Sequence, residues 1–316
     1  MLDQQLDAIM KHVQAAGMPD LCDLPPQASR ELYRQILAGA DRPPADVAVA
    51  DAEIPARDGA TPAVPLRLYT PRDPGRHALV VYYHGGGFVL GDLDGYDSVC
   101  RQLCEDSGAV VVSVGYRLAP EHPFPAAFDD AWAALQWAAA HARELGAEPG
   151  RLGVAGDSAG AVLATAMTLL ARDRGGPRIG FQALVYPPAA GGHDGNFASR
   201  ARYAGGPTLT QRTADYFSRH FYGPTGRAPD FRGAPLRAES LAGLPPALLL
   251  VAGVDLLRDE ALAYGEALQA AGCEVMTIEY AGLAHGFISM AGAVGAARMA
   301  QRQLGQVLRE RLAAAR

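Results

Sequence analysis

The stretch "RLGVAGDSAGAVLATA", residues 151 to 166, carries a serine with a glycine two positions away on each side: Gly156-Asp157-Ser158-Ala159-Gly160. β-forming residues lead in and helix-forming residues lead out, so a strand turns straight into a helix at Ser158. Such a turn is strained. It holds the hydroxyl at its tip, and small flanking residues let strand and helix pass close together. The free N–H groups and positive dipole end of the helix then face any anion that develops beside the serine. The chemistry this predicts is nucleophilic attack by Ser158 on a carbonyl.

A serine nucleophile needs a base, and the base needs a group to orient it. In strand–turn–helix frameworks the partners follow in the order Ser, acid, His, each past the end of a later strand. Asp255 follows "PALLLVAGV" and His285 follows "CEVMTIEYAGLA", in that order. Asp259, four residues on, competes for the acid role. It falls one turn into the next helix, where stabilising the helix start is the plainer reading, and Asp255 is preferred. The other histidines fit the base less well. His12, His141 and His220 sit in or near helices and are expected at the surface. His77 precedes a strand, and His122 lies in a proline-rich loop. His193 lies in an irregular stretch, where solvent exposure is favoured over substrate contact. His84 opens "HGGGF".

That second motif, His84-Gly85-Gly86-Gly87, ends the strand-like run "ALVVYY". Glycine weakens regular elements, so three in a row mark a close backbone approach or an unusual dihedral. Acyl transfer needs N–H donors for a tetrahedral oxyanion, one from the residue after the serine and others from an early loop. The expected reason for glycine is that a Cβ would keep the substrate carbonyl away from those donors. A phosphate loop is disfavoured, since neither GxGxxG nor a P-loop Lys-Ser/Thr is present.

These residues need a frame that brings them together. "ALVVYYH", "AVVVSVGY", "GFQALVYP" and "PALLLVAG" are continuous apolar runs, the pattern of strands buried on both faces. "VPLRLYT", "RLGVAG" and "CEVMTIEY" supply further strands. Helices are predicted over 125–145, from Ser158 to Asp173, from Arg258 to a Gly272 cap, and over 294–314. Strands alternating with helices mean an α/β fold: a mostly parallel central sheet with helices on both faces. Residues 1–40 read as two amphipathic helical pieces, and 188–228 as an insertion over one end of the sheet.

The 316 residues are 49% hydrophobic and 20% charged, with 28 Lys+Arg against 34 Asp+Glu and a formal net charge of −6. No basic surplus points to nucleic acid or anionic lipid. Four cysteines, Cys22, Cys100, Cys104 and Cys273, with no CxxC, suggest neither a disulfide scaffold nor a metal centre, and a reducing, cytoplasmic setting is expected. The N-terminus lacks a secretory pattern, and no apolar run is long enough to span a membrane.

In order along residues 64 to 290, "HGGGF", "YRLAPEHPFPAAFDD", "GDSAGA", "DLLRDE" and "HGF" resemble the bacterial hormone-sensitive-lipase family of carboxylesterases. The resemblance implies a single α/β-hydrolase domain over 1–316. Its cap would be formed by about 1–45 and 188–228, and its catalytic core by the remainder. It implies a Ser158, Asp255, His285 triad, with an oxyanion hole at the N–H groups of Gly86, Gly87 and Ala159. Gly85 would shape that loop and His84 would brace it without acting as a base. Tyr116 to Asp129 would brace the sheet. Leu256 stands where the family has proline, which loosens the turn after Asp255. The implied activity is hydrolysis of short- to medium-chain acyl esters, with no metal or organic cofactor and a small-molecule ester as partner. A homodimer is left open. Tyr186, Phe197, Tyr203, Leu209 and Phe217 are candidate pocket residues, with packing of the cap on itself as the alternative. Two other readings stay open: the same machinery acting on lactones, amides or carbamates, and a hydrolase-like receptor that binds without turnover. The complete triad disfavours the receptor.

Overall fold

The computed structural model describes residues 1–56, 62–191 and 195–313. Its centre is an eight-stranded sheet: β1 (Ala48–Ile54), β2 (Val64–Thr70), β3 (His77–Tyr83), β4 (Val110–Val114), β5 (Ala147–Asp157), β6 (Phe181–Val185), β7 (Ala247–Val254) and β8 (Val275–Ala284). Their spatial order is β1-β2-β4-β3-β5-β6-β7-β8. β3 to β8 run parallel to one another, while β2 pairs antiparallel with both β1 and β4.

β4 and β6 are buried along their whole length, and β3 and β7 nearly so, as the continuous apolar runs require. Two apolar layers cover the faces of the sheet. Helices α4 (Ala126–Ala140), α5 (Ala159–Arg174) and α8 (Arg258–Ala270) pack on one face. Helices α3 (Asp97–Ser107) and α9 (Gly295–Arg311) pack on the other and against each other. None of the helices among the described residues is long and apolar enough to cross a membrane.

Four helices lie outside this sandwich in sequence. α1 (Gln4–Ala15) starts at Asp3, whose carboxylate accepts the N–H groups of Gln5 and Leu6 at 2.9 and 3.2 Å. α2 is Pro26–Gly39, with proline in its first turn. The 188–228 region contributes a short α6 (Ala198–Arg202) and an amphipathic α7 (Gln211–Tyr222), and no strand among its described residues.

Four readings of the elements change. β1 was not among the expected strands. It is an edge strand whose Asp51 and Glu53 are tolerated because only β2 covers it. α3 was not expected. Its buried Val99, Cys100, Leu103 and Cys104 follow helical spacing, diluted by polar neighbours. The helix predicted over 125–145 ends at Ala140, and turns carry the chain to Gly146 at φ +76°. The last helix ends at Arg311, and the predicted end at 314 lies outside the described residues.

Candidate active site

β5 delivers Ser158 to a turn with φ 51° and ψ −121°, a region that L-residues avoid. Two glycines make the turn possible. A Cβ on Gly160 would strike the Tyr83 carbonyl, and one on Gly156 would strike the Gly160 carbonyl. The Ser158 N–H donates to the Val185 carbonyl at 2.9 Å, which ties the turn to the end of β6.

Asp255 directly follows β7 and His285 directly follows β8. The structure brings both to the serine: Nδ1 of His285 lies 2.7 Å from Oδ2 of Asp255, and Nε2 lies 2.8 Å from Oγ of Ser158. Asp255 is 2% exposed and His285 9%. The second oxygen of Asp255 accepts the Leu257 N–H at 2.9 Å. That bond, with the Ser199 hydroxyl donating to the Leu256 carbonyl at 2.8 Å, fastens the turn where the family proline is missing. The Thr208 hydroxyl donates to the His285 carbonyl at 2.8 Å, and the Tyr186 ring sits 4.5 Å from the imidazole. Asp259 points elsewhere. It accepts the Ser199 N–H at 2.8 Å and pairs with Arg258 at 2.8 Å.

The glycine loop follows β3. Gly86, Gly87 and Phe88 all have positive φ, at 113°, 63° and 63°. The structure adds a second reason for glycine to the expected one. A Cβ on Gly85 would strike the Asp157 carboxylate, on Gly86 the Leu90 carbonyl, and on Gly87 the Phe217 ring. The loop needs glycine to fold back on itself and on its neighbours. Among the described residues, none accepts a hydrogen bond from the N–H groups of Gly86, Gly87 or Ala159. All three residues line the cavity that holds Ser158.

His84 is buried, and Nδ1 donates to the Gly85 carbonyl at 2.7 Å. Its ring stacks on Tyr116 at 4.2 Å, and the Tyr116 hydroxyl donates to the His84 carbonyl at 2.7 Å. Burial pushes its pKa down to about 4, so it stays neutral. The Tyr116–Asp129 stretch is held next door, where Arg117 donates to the buried Asp130 through its backbone and its guanidinium.

Asp157 carries a role that the sequence reading left unassigned. Its carboxylate accepts from Tyr82 Oη at 2.9 Å, Tyr96 Oη at 3.1 Å, Tyr186 Oη at 3.3 Å and the Gly85 N–H at 2.8 Å. One buried acid therefore joins the serine turn to the glycine loop. Tyr33 of α2 reaches the same network, 3.1 Å from the Tyr96 hydroxyl. The aspartate inside "GDSAG" was the available signal.

The cavity is about 320 Å³. Its walls come from α1 and α2 (Ile9, Val13, Leu37), from α7 (Phe217) and from Leu209, with Ser158 and His285 also exposed to it. Of the five candidate lining residues, Leu209 and Phe217 face it. Tyr186 is buried behind the histidine, and Phe197 and Tyr203 do not line it. His12 and His122 are exposed, while His141, His220 and His77 are half-buried away from the serine. His193 lies outside the described residues.

A family model described as "alpha/beta hydrolase fold" matches residues 80–289. The chain belongs to this family of hydrolases. Among curated proteins, this hydrolase is similar to Esterase LipI of Mycobacterium tuberculosis, 46% identical over 273 residues that cover 84% of each chain. It is also similar to an ethyl acetate hydrolase of Pseudomonas putida, 37% identical, with 77% of this chain and 76% of that one covered. Among solved structures, a hyperthermophilic esterase of the archaeon Pyrobaculum calidifontis superposes with a TM-score of 0.90 at 38% identity over 98% of each chain. The hormone-sensitive-lipase resemblance drawn from the motifs is borne out by these relatives.

One wall of this hydrolase's cavity contains a buried ion pair. Glu260 is fully buried, accepts the Ala190 N–H at 2.9 Å, and meets Arg200 of α6 at 3.1 Å. Burial pushes its pKa up to about 7; Arg200 opposes the rise and the charge of Asp255 adds to it. The folded chain thus holds a proton that the unfolded chain, with a carboxyl near 4.5, releases. Stability linked to this group is complete below about pH 4.5 and is lost as pH rises through about 7. Glu260→Gln cannot titrate. Thermal melts should show the variant gaining on wild type between pH 4.5 and 7.5. A gain by wild type over that range would mean that the Arg200 pairing outweighs burial.

Proposed function

We propose that this chain hydrolyses short- to medium-chain carboxylic esters with Ser158 as nucleophile, His285 as general base and acid, and Asp255 as the group that orients the imidazole. The observation that carries this reading is the unbroken hydrogen-bond chain Asp255–His285–Ser158, which opens into a cavity beside free backbone N–H groups. Oγ of Ser158 attacks the ester carbonyl as Nε2 of His285 takes its proton. Asp255 holds the resulting imidazolium and fixes the tautomer through Nδ1. The carbonyl oxygen, now anionic, is received by the N–H groups of Gly86, Gly87 and Ala159, which donate to none of the other described residues. Collapse expels the alcohol, which takes the proton from Nε2 and leaves an acyl-serine. Water gives a proton to His285, attacks the acyl carbon, and the second collapse returns the proton to Oγ and frees the acid.

The remaining segments serve this chemistry. Residues 1–45 and 188–228 act as the cap, since α1, α2 and α7 supply the apolar walls of the cavity. His84 and Gly85 support the oxyanion loop. Four free cysteines, two of them buried in α3, support a reducing, cytoplasmic setting.

The size of the cavity sets the substrate range. A volume of about 320 Å³ is at the small end for ligand pockets. The relative named for ethyl acetate points the same way. With p-nitrophenyl esters from acetate to palmitate, kcat/KM should peak at or below octanoate and fall by at least about tenfold by palmitate. A profile still rising at palmitate would mean that the cavity is not the acyl site.

A further inference from the structure

The loop that presents Gly86 and Gly87 is held in an unfavourable shape. Three residues in succession have positive φ, and the third, Phe88, is a bulky side chain in the left-handed region. Such a conformation persists only where its surroundings over-determine it. Two of those surroundings come from helices outside the central sandwich. On one side, the Phe88 ring stacks on Phe221 of α7, with centroids 4.0 Å apart and planes 14° apart. Phe221 is itself fixed, because its carbonyl accepts the Phe124 N–H at 3.0 Å and its ring lies against Phe128. On the other side, Arg30 of α2 donates through Nε to the Val89 carbonyl and through Nη2 to the Ala119 carbonyl, both at 2.8 Å. The Ala119 N–H in turn donates to the Phe88 carbonyl at 2.9 Å. A fork to Glu121, at 2.9 and 2.6 Å, sets the plane of the guanidinium.

We infer that Phe221 and Arg30 are positioning residues for the oxyanion hole, gripping the Phe88 ring from α7 and the Val89 carbonyl from α2 so that the Gly86 and Gly87 N–H groups stay aimed at the substrate. The inference rests on the oxyanion reading above. Preorganised donors act at the transition state only while their direction is fixed. Loss of the Phe221 ring lets Phe88 relax out of the left-handed region and turns the adjoining peptides away. Neither side chain lines the cavity, so ground-state binding should not depend on them.

The test compares wild type, Phe221→Leu, Arg30→Met and Gly86→Ala. Arg30→Met keeps the apolar stem and leaves Glu121, whose side chain is 52% exposed, in water; the Val89 and Ala119 carbonyls lose a donor, and the melting temperature reads that cost separately from catalysis. For each protein kcat, KM, melting temperature and the inhibition constant of an alkyl boronic acid are measured. The boronate forms a tetrahedral adduct on serine and reports the oxyanion hole directly. Phe221→Leu and Arg30→Met should each lower kcat by about tenfold to a hundredfold with KM within about twofold of wild type. The boronate should weaken by the same factor as kcat/KM. If kcat holds, or falls while boronate affinity does not, the two residues are merely structural and the inference fails. Impaired Gly86→Ala beside unimpaired Phe221→Leu and Arg30→Met rejects this inference alone. Wild-type kcat in Gly86→Ala rejects the oxyanion reading and the inference with it.

Discussion

Ser158→Ala should abolish ester hydrolysis, with kcat down by about six orders of magnitude, the loss seen when a triad serine is removed. The oxyanion donors and the cavity remain and sustain a slow residual attack by water. The chain should stay folded. The change removes one hydroxyl, which among the described residues bonds only His285, and leaves the Ser158-to-Val185 backbone bond in place. The strained turn is set by Gly156 and Gly160 and by its neighbours, and alanine inherits it. Turnover of p-nitrophenyl acetate and intact mass after a serine-directed phosphonate check this together. Wild type should gain one phosphonate adduct and the variant none, with melting temperatures within a few degrees. Near-normal turnover in the variant would remove Ser158 from the chemistry.

What the sequence disclosed, and what it withheld, follows from the range of the interactions concerned. β3, β4, β6 and β7 were legible because a strand buried on both faces must be apolar throughout. The serine turn and the glycine loop were legible because each gathers a particular set of residue types within a few positions, although Tyr83, Asp157 and Phe217, which make the glycines necessary, lie far off in the chain. β1 was missed because an edge strand answers to only one partner, and "AVADAEI" spends its exposed positions on acids. α7 was missed although its residues follow a helical period, because the Gly-rich and polar residues around it led the whole of 188–228 to be read as one irregular insertion.

The supports of the site share that difficulty. Tyr82 meets Asp157 across 75 positions of chain, and Arg30 meets Val89 across 59. No local pattern announces either pairing. Their absence from view also explains why only part of the case for the glycines was legible. Read alone, "HGGGF" suggests glycine to admit a substrate. In the fold, Asp157, Leu90 and Phe217 occupy the space that each Cβ would need.

Asp255→Asn should cost about 10⁴ in kcat, while Asp259→Asn stays within several-fold of wild type. Both acids follow β7 within five residues, and their surroundings separate them. Oδ2 of Asp255 faces Nδ1 of His285 at 2.7 Å in a site closed to water. As a carboxylate it can only accept, so Nδ1 must carry the proton and Nε2 is left free to take one from Ser158. Asparagine turned to give its N–H to Nδ1 reverses this and puts the proton on Nε2, where it blocks the base. Turned the other way, its N–H faces the Leu257 N–H that Asp255 now accepts. The amide satisfies only one neighbour in either pose, and neither pose offsets the charge of an imidazolium. Asp259 has no such duty. Its side chain is 27% exposed, and it holds the Ser199 N–H and the Arg258 guanidinium. Asparagine keeps one acceptor for Ser199 and lets Arg258 fall back on Glu279, already 2.9 Å away. Ring-nitrogen NMR of His285 should therefore show the Nδ1–H tautomer in wild type and Asp259→Asn, and its loss in Asp255→Asn. Should Asp259→Asn be the more damaging change, the acid of the triad has been assigned to the wrong aspartate.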